Sequence, residues 1–474
     1  MLGDETVRAL IVGARDFAVV VIGVGLAENL LYFVQLSVAG WTLSRHAPRK
    51  RPATRWRIAA EISPPIALLV PAYNEEATIV ENVRSLRALQ YPSFEVIVVN
   101  DGSTDATLPT LIEAFDLKPM TRGYEPAVEH RPIRGLYGSS RYANLLVVDK
   151  ENGGKSDALN AGINLSRAPM FCAVDADSIL EADSLLRAVQ PFVDEPERMA
   201  AVGGTVRVAN GCRVRAGRIV SVALPNKLLP LLQTIEYLRA FLIGRLAWSE
   251  MQSLTIVSGA FGIIRRSVAV AVGGYSHGTV GEDLEIIVKI HRYMREHRVD
   301  YAVRFVPEPV CWTEVPESPR MLGRQRIRWQ RGALETFFKH ARMALNPRYG
   351  RVGLLAFSHA LLIDVLAPPI EVVGYVFIPA FWAFGILDVD YLVAFLAVTF
   401  TYGVFLSVGA LVLAEIELRR FPRARDTLVL AAAAVAENFG YRQLNNIWRI
   451  IGLWRYLRRT QGWGPMKRIG FRQA

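Results

Sequence analysis

What most constrains this chain is where its apolar residues stand. The segment "FAVVVIGVGLAENLLYFVQLSVAG" (17–40) contains a single charge, Glu28. Its length suits a bilayer-crossing helix, which needs about 20 apolar residues. A cleaved leader has a shorter apolar part and ends in small residues, so the segment reads as a retained anchor. Directly after it, "SRHAPRKRPATRWR" (44–57) is basic, and flanking Lys and Arg favour the cytoplasmic side. Further apolar blocks occupy 363–387, 391–415 and 427–453, with a weaker one at 352–362. The basic loop "ELRRFPRARD" (417–426) also belongs inside, which fits a span out, the turn "LDVDY" (387–391) and a span back. The last block carries Glu437, Arg442 and Arg449 and runs into the basic tail "WRYLRRTQGWGPMKRIGF" (454–471). Those charges favour an amphipathic helix lying partly in the interface over a third crossing.

At 474 residues the chain is longer than a single hydrophobic core of roughly 250–300 residues supports, so a second unit must sit between the apolar ends. The net charge of +11 clusters beside apolar segments. Membrane topology accounts for it, and nucleic acid is not an expected partner. The three cysteines, Cys172, Cys212 and Cys311, lack metal-ligand spacing and read as reduced thiols.

In the middle, short β-rich runs alternate with helical stretches. "IALLVPAY" (66–73), "FEVIVVND" (94–101), "NLLVVDK" (144–150) and "MFCAVDAD" (170–177) read as strands. The stretches 75–89, 105–115, 155–167 and 181–193 read as helices. This alternation predicts a parallel, doubly wound α/β sheet, and such sheets bind ligands beyond the carboxyl ends of their strands. Asn74, Glu75 and Glu76 follow the first strand, Asp101 ends the second, and Asp175 and Asp177 end a later one. Three strands thus deliver acidic or amide groups to one edge.

Each motif also has a plain structural reading. "NDGSTD" (100–105) suits a turn with a helix N-cap, and "VDADS" (174–178) a turn that opens a helix. Their coincidence on one edge favours a site. Asp175 and Asp177 supply hard oxygens for Mg²⁺ or Mn²⁺, which would offset their mutual repulsion and clamp a nucleotide diphosphate. Lys155 follows "NGG" and is either a solvated helix start or a positive charge near phosphates. Glu282 and Asp283 open a helix, where acids suit the dipole in any case; the functional alternative makes Asp283 a general base. "RQRIRWQRG" (324–332) offers guanidinium forks for phosphate and an indole face for a sugar, or else forms a basic interfacial helix with a Trp anchor. The apolar segment 228–248 reads as a buried helix of the catalytic unit or as one lying on the membrane surface.

With those residues in view, the chain resembles a membrane-integrated, inverting family-2 glycosyltransferase. That group includes cellulose, chitin, hyaluronan and poly-N-acetylglucosamine synthases and the chitooligosaccharide synthases. The group's ordered pattern of an Asp, a DxD, a later ED and Q(Q/R)xRW is matched by Asp101, by Asp175 and Asp177, by Glu282 and Asp283, and by Gln325 to Trp329. The resemblance implies a Rossmann-like GT-A fold. It further implies that Asp101, with Pro71, Ala72, Tyr73 and Glu75 of "PAYNE", holds the uridine, and that Lys155 lies near the diphosphate. Asp175, Ala176 and Asp177 would form the nucleotide and metal site, and Asp283 would be the catalytic base. Ser258 and Gly259 of "VSGAFG" would line the acceptor pocket beside Glu282, while Gln325, Arg326 and Arg328 bind diphosphate and acceptor and Trp329 stacks on the acceptor sugar. Gly281 departs from the pattern, since several synthases have Thr before the ED pair.

The resulting expectation is an N-terminal span (1–43), a basic linker (44–63), a cytoplasmic GT-A domain with interface helices (64–345), a C-terminal membrane region (346–456) and a basic tail (457–474) in the inner membrane. The implied partners are a UDP-sugar donor, a glycan acceptor and the lipid bilayer; homo-oligomers and export partners stay open. "SGAFGIIRR" (258–266) is similar to the amino-sugar synthases and tilts the donor toward N-acetylglucosamine over glucose. The rival enzyme reading is transfer of one sugar to a polyprenyl-phosphate carrier, which "QRIRW" disfavours. A non-catalytic export component is disfavoured by the intact set of acids.

Overall fold

The computed structural model describes residues 4–46, 63–215, 217–418 and 424–458. The basic linker, most of the basic loop and most of the basic tail lie outside the described residues. Elements run from helix α1 (Asp4–His46) through β1 (Ile66–Ala72), α2 (Ile79–Arg87), β2 (Phe94–Asp101), α3 (Thr107–Phe115), β3 (Lys118–Pro119), β4 (Ile133–Gly138) and β5 (Leu145–Lys150). Next come α4 (Lys155–Leu165), β6 (Met170–Ala173), β7 (Ile179–Leu180), α5 (Ser184–Asp194), β8 (Met199–Val208) and a small hairpin, β9 (Arg213–Arg215) and β10 (Arg218–Ser221). The long helix α6 (228–250) precedes β11 (Gly262–Arg265), α7 (Arg266–Ala271), α8 (Glu282–Glu296), β12 (Ala302–Thr313) and α9 (Pro319–Lys339). Helices α10 (Val352–Ala383), α11 (389–418), α12 (Ala424–Ala436) and α13 (Arg442–Leu457) complete the chain.

The sheet has ten strands in the order β3-β4-β5-β2-β1-β6-β11-β8-β12-β7. Its middle, β5-β2-β1-β6, is parallel, and the register sets Ala72 beside Asn100 and Asp101 beside Lys150. The strand ends that were expected to carry polar groups therefore do share one edge. Ile66 through Val70 are wholly buried, as their unbroken apolar run requires of a strand covered on both faces. The sheet is nonetheless mixed and not all-parallel, because β11 enters antiparallel between β6 and β8. Its four residues are too few to show a period, so sequence pattern misses it. β6 also stops at Ala173, which leaves Asp175 and Asp177 in the turn beyond it.

Among the described residues three helices are long and apolar enough to cross a membrane, at Arg8–Arg45, Val352–Ala383 and Val389–Leu413. Large apolar side chains such as Leu30 and Val376 point outward from them, and a surface of that kind is covered by lipid in a membrane protein. The weak block at 352–362 and the one after it form a single helix. The block at 427–453 breaks at Phe439 and Gly440, where Gly440 has φ of +93°. Its second half, α13, lies along α9 through two glycines: a Cβ on Gly323 would stand 2.7 Å from Trp448 Nε1, and one on Gly452 would stand 2.8 Å from Gln330 Cβ.

Helix α6 is not laid on an open surface. Leu232, Ile235, Leu238, Leu242 and Leu246 are buried in a core that runs from the sheet to Leu411 of α11 and Leu430 of α12. Arg239 reaches Ser407 Oγ at 3.0 Å and pairs with Glu437, which explains charges that would be costly on a lipid-facing helix.

Candidate active site

The loops after β1 and β2 are stitched together. Asn74 takes the left-handed conformation (φ 55°) and its Oδ1 accepts from the Thr104 N–H at 2.8 Å. The Glu75 N–H donates to Thr107 Oγ1 at 2.9 Å, and Asp105 Oδ1 accepts from the Thr107 N–H at 3.0 Å. Asp105 thus ties down the first residue of α3, while Ala106 at the cap position makes no side-chain cap. Tyr73 stands exposed on this edge, while Pro71 and Ala72 lie at the end of β1.

Asp101 is buried and does not open onto the cleft. Its carboxylate accepts from Lys150 Nζ (2.7 Å), Asn152 Nδ2 (3.2 Å), the Gly153 N–H (3.0 Å) and the Gly154 N–H (2.7 Å). Four donors on one carboxylate fix the 150–154 loop, and that loop sets Lys155 at the start of α4. Lys150 is wholly buried and also meets Asp157 Oδ1 at 2.5 Å. Sequence reasoning missed this pair, since Lys150 reads there as the end of a strand and nothing else.

Lys155 joins two of the family motifs. Its Nζ lies 2.7 Å from Asp175 Oδ1 and 2.8 Å from Glu282 Oε1. Burial alone would lower its pKa, but the two carboxylates hold it above the usual lysine range. Asp175 and Asp177 flank buried Ala176 in a turn closed by the Ser178 N–H on Asp175 O at 3.0 Å. Among the described residues no cluster of three or more His, Cys, Asp or Glu could hold a metal. Two half-buried carboxylates fit an ion of the Mg²⁺ type that keeps water and takes phosphate oxygens from its ligand, and do not form a complete protein cage.

Asp283 opens α8, its Oδ1 accepting from the Leu284 N–H at 2.9 Å. Gly259 faces it, and a Cβ added there would stand 3.1 Å from Lys155 Nζ and 3.3 Å from Asp283 Oδ2. Any side chain at 259 would fill the gap. Ser258, beside it, carries φ of 153°, a strained value for a residue with a side chain. Lys155, Ser258, Gly259, Tyr275, Glu282 and Asp283 line one small pocket. Burial and the Glu282 charge raise the Asp283 pKa, against the opposing charges of Lys155 and Arg245. A carboxyl shifted upward in a cleft suits proton transfer at neutral pH. Arg245 was not foreseen because it sits in the apolar run of α6. It donates to Val257 O at 2.8 Å, and burial lowers its own pKa to about 10.

The motif "QRIRW" forms a second group on α9. Arg326 is buried, its Nη2 2.8 Å from Glu236 Oε2, and Tyr441 Oη donates to the same oxygen at 2.6 Å. Its guanidinium stacks on Trp329 at 4.3 Å. Arg326 is thus committed to Glu236 and steadies Trp329, whose indole remains 44% exposed. Gln325 Oε1 is buried with no hydrogen-bond partner, and Arg328 is partly exposed. The charges of Arg326 and Asp177 both act on Tyr237 of α6.

Two family models match the chain. One, glycosyl transferase family 2, covers residues 67–270, and the other, glycosyl transferase family group 2, covers 171–406. The chain is a family-2 glycosyltransferase. It is 27% identical over 329 residues to a poly-beta-1,6-N-acetyl-D-glucosamine synthase of Staphylococcus epidermidis, covering 69% of this chain and 68% of that one. The similarly named protein of Staphylococcus aureus is 28% identical, over 63% of this chain and 61% of the relative. A mannosyltransferase from Pyrobaculum calidifontis, determined with GDP-Man and Mn2+, matches with a TM-score of 0.54 at 18% identity. That match covers 93% of this glycosyltransferase and 100% of its neighbour, and it supports the GT-A fold.

Proposed function

We propose that this glycosyltransferase adds N-acetylhexosamine units, N-acetylglucosamine foremost, from a UDP-sugar to a growing β-linked glycan at the cytoplasmic face of the inner membrane. The observation that carries the reading is the gap at Gly259, where Asp283 Oδ2 and Lys155 Nζ both face one small space. A base and a phosphate-side cation so placed suit displacement at a sugar carbon bonded to a diphosphate. The acceptor hydroxyl gives its proton to Asp283 as its oxygen attacks the anomeric carbon from the side opposite UDP. The carbon–oxygen bond to the diphosphate breaks, and UDP leaves with the electron pair, giving a β linkage from an α donor. Lys155 adds positive charge on the leaving side, the preorganised kind that acts most strongly in the transition state. Asp175 and Asp177 would hold Mg²⁺ or Mn²⁺, which when bound neutralises diphosphate charge. Trp329 offers a stacking face to the acceptor sugar. The names of the Staphylococcus relatives support the amino-sugar donor.

The test is UDP release across a donor panel in nanodiscs, followed by mass analysis of the product. UDP-N-acetylglucosamine is the expected donor, with turnover abolished by Asp283→Asn and by EDTA and restored by Mg²⁺ or Mn²⁺. Near-normal turnover of Asp283→Asn removes the base. Label found in a short glycolipid and never in oligosaccharide replaces this reading with transfer to a lipid carrier.

A further inference from the structure

The loop that presents Asp283 is held by the helix that presents Trp329. Glu335 lies two turns beyond Trp329 on α9, its side chain only 18% exposed. Its Oε2 accepts from the Val280 N–H at 3.0 Å, three residues before Asp283. Its other oxygen, Oε1, is fixed by Arg331 Nε at 2.6 Å, one turn earlier on the same helix. Between these contacts the two backbones touch. A Cβ on Gly332 would stand 2.9 Å from both Cα and N of Gly281, and a Cβ on Gly281 would stand 3.2 Å from Gly332 Cα. The Gly281 carbonyl in turn accepts from the Glu285 N–H at 2.9 Å and so starts α8. The departure of Gly281 from the Thr found in several synthases therefore has a steric reason here, because the loop rests on a backbone and not on a side chain.

From this arrangement we propose that Glu335 is a positioning residue for the transfer step. Together with the Gly281–Gly332 contact it makes the acceptor-side helix and the base-bearing loop one mechanical unit. The inference rests on Asp283 being the base. It assigns Glu335 no contact with substrate, and its effect runs through the place of Asp283. A base displaced by a fraction of an ångström loses alignment with the attacking hydroxyl, whereas Asp175, on the turn beyond β6, keeps its hold on Lys155.

The experiment measures kcat and the donor KM for Glu335→Ala, Glu335→Gln, Gly332→Ala and the Glu335→Ala/Gly332→Ala pair, alongside Asp283→Asn. Glu335→Ala is expected to lower kcat roughly tenfold or more, the scale of a misplaced catalytic group, with little change in donor KM. Glu335→Gln keeps an oxygen for the Val280 N–H and recovers most of the turnover. Gly332→Ala pushes the same loop, so its loss matches that of Glu335→Ala, and the double variant loses far less than the product of the two. Wild-type kcat in Glu335→Ala, equal losses in the Ala and Gln variants, or a donor KM that rises in step with the fall in kcat each overturn the inference. If Glu335→Ala does not fold, full kcat in Gly332→Ala overturns it instead. Turnover retained in Asp283→Asn defeats the base assignment itself, whereas an inactive Asp283→Asn beside an unimpaired Glu335→Ala defeats only the role of Glu335.

Discussion

Asp101 is the residue whose removal should cost this protein most for the smallest change in volume. Its carboxylate is 3% exposed and accepts four hydrogen bonds, one from the wholly buried Lys150. In Asp101→Ala the Lys150 ammonium keeps Asp157 and the Glu151 carbonyl, but the Gly153 and Gly154 N–H groups lose their acceptor. Deleting one partner of a buried ion pair costs about 3–5 kcal/mol. Asp101→Asn retains an oxygen acceptor and loses the charge, a smaller loss of about 1–3 kcal/mol. At roughly 2 °C per kcal/mol for a domain of this size, the Ala variant should unfold about 6–10 °C early and the Asn variant less than that. The assay is thermal unfolding in detergent, paired with UDP binding, which should weaken as the 150–154 loop loosens around Lys155. Asp183→Ala is the control: it removes a surface i,i+4 partner of Arg187, a kind of pair worth under about 1 kcal/mol. Asp101→Ala unfolding together with that control would refute the reasoning.

Trp329→Ala should raise the acceptor KM roughly tenfold through lost stacking, with the donor KM unchanged and Trp329→Phe intermediate. Initial rates at varied acceptor and fixed donor check this. His291 is buried between Tyr301 Oη and Leu254 O, each at 2.7 Å, and burial lowers its pKa to about 4. A histidine that stays neutral when folded but charges when unfolded supports the fold above about pH 6.5 and loses that support as pH falls toward 4. Unfolding midpoints should therefore drop across that window in the wild type and drop less in His291→Gln.

How much of this was legible in the sequence differs from one residue to another. The four parallel strands could be read because each is built on an apolar run, and a strand buried on both faces cannot look otherwise. Lys155, Glu282 and Asp283 could be named but not joined: 127 positions separate Lys155 from Glu282, and only the folded chain brings their charges to 2.8 Å. The resemblance ties Arg326 to diphosphate and acceptor, and the folded chain adds a pairing with Glu236. Nothing in the apolar segment 228–248 announces that partner.

The sequence by itself determined that the chain carries spanning helices and an α/β unit with acidic strand ends, because hydropathy and period are properties of neighbouring residues. The tertiary structure decided which carboxylates stay partly exposed and which serve as ties. Asp101 and Asp175 look alike in the chain, but the first is enclosed by four donors from the next loop, whereas the second meets one lysine at the mouth of a pocket. A carboxylate is available for chemistry only when its neighbours leave oxygens unpaired, and those neighbours are chosen by the fold across distances that no local pattern records.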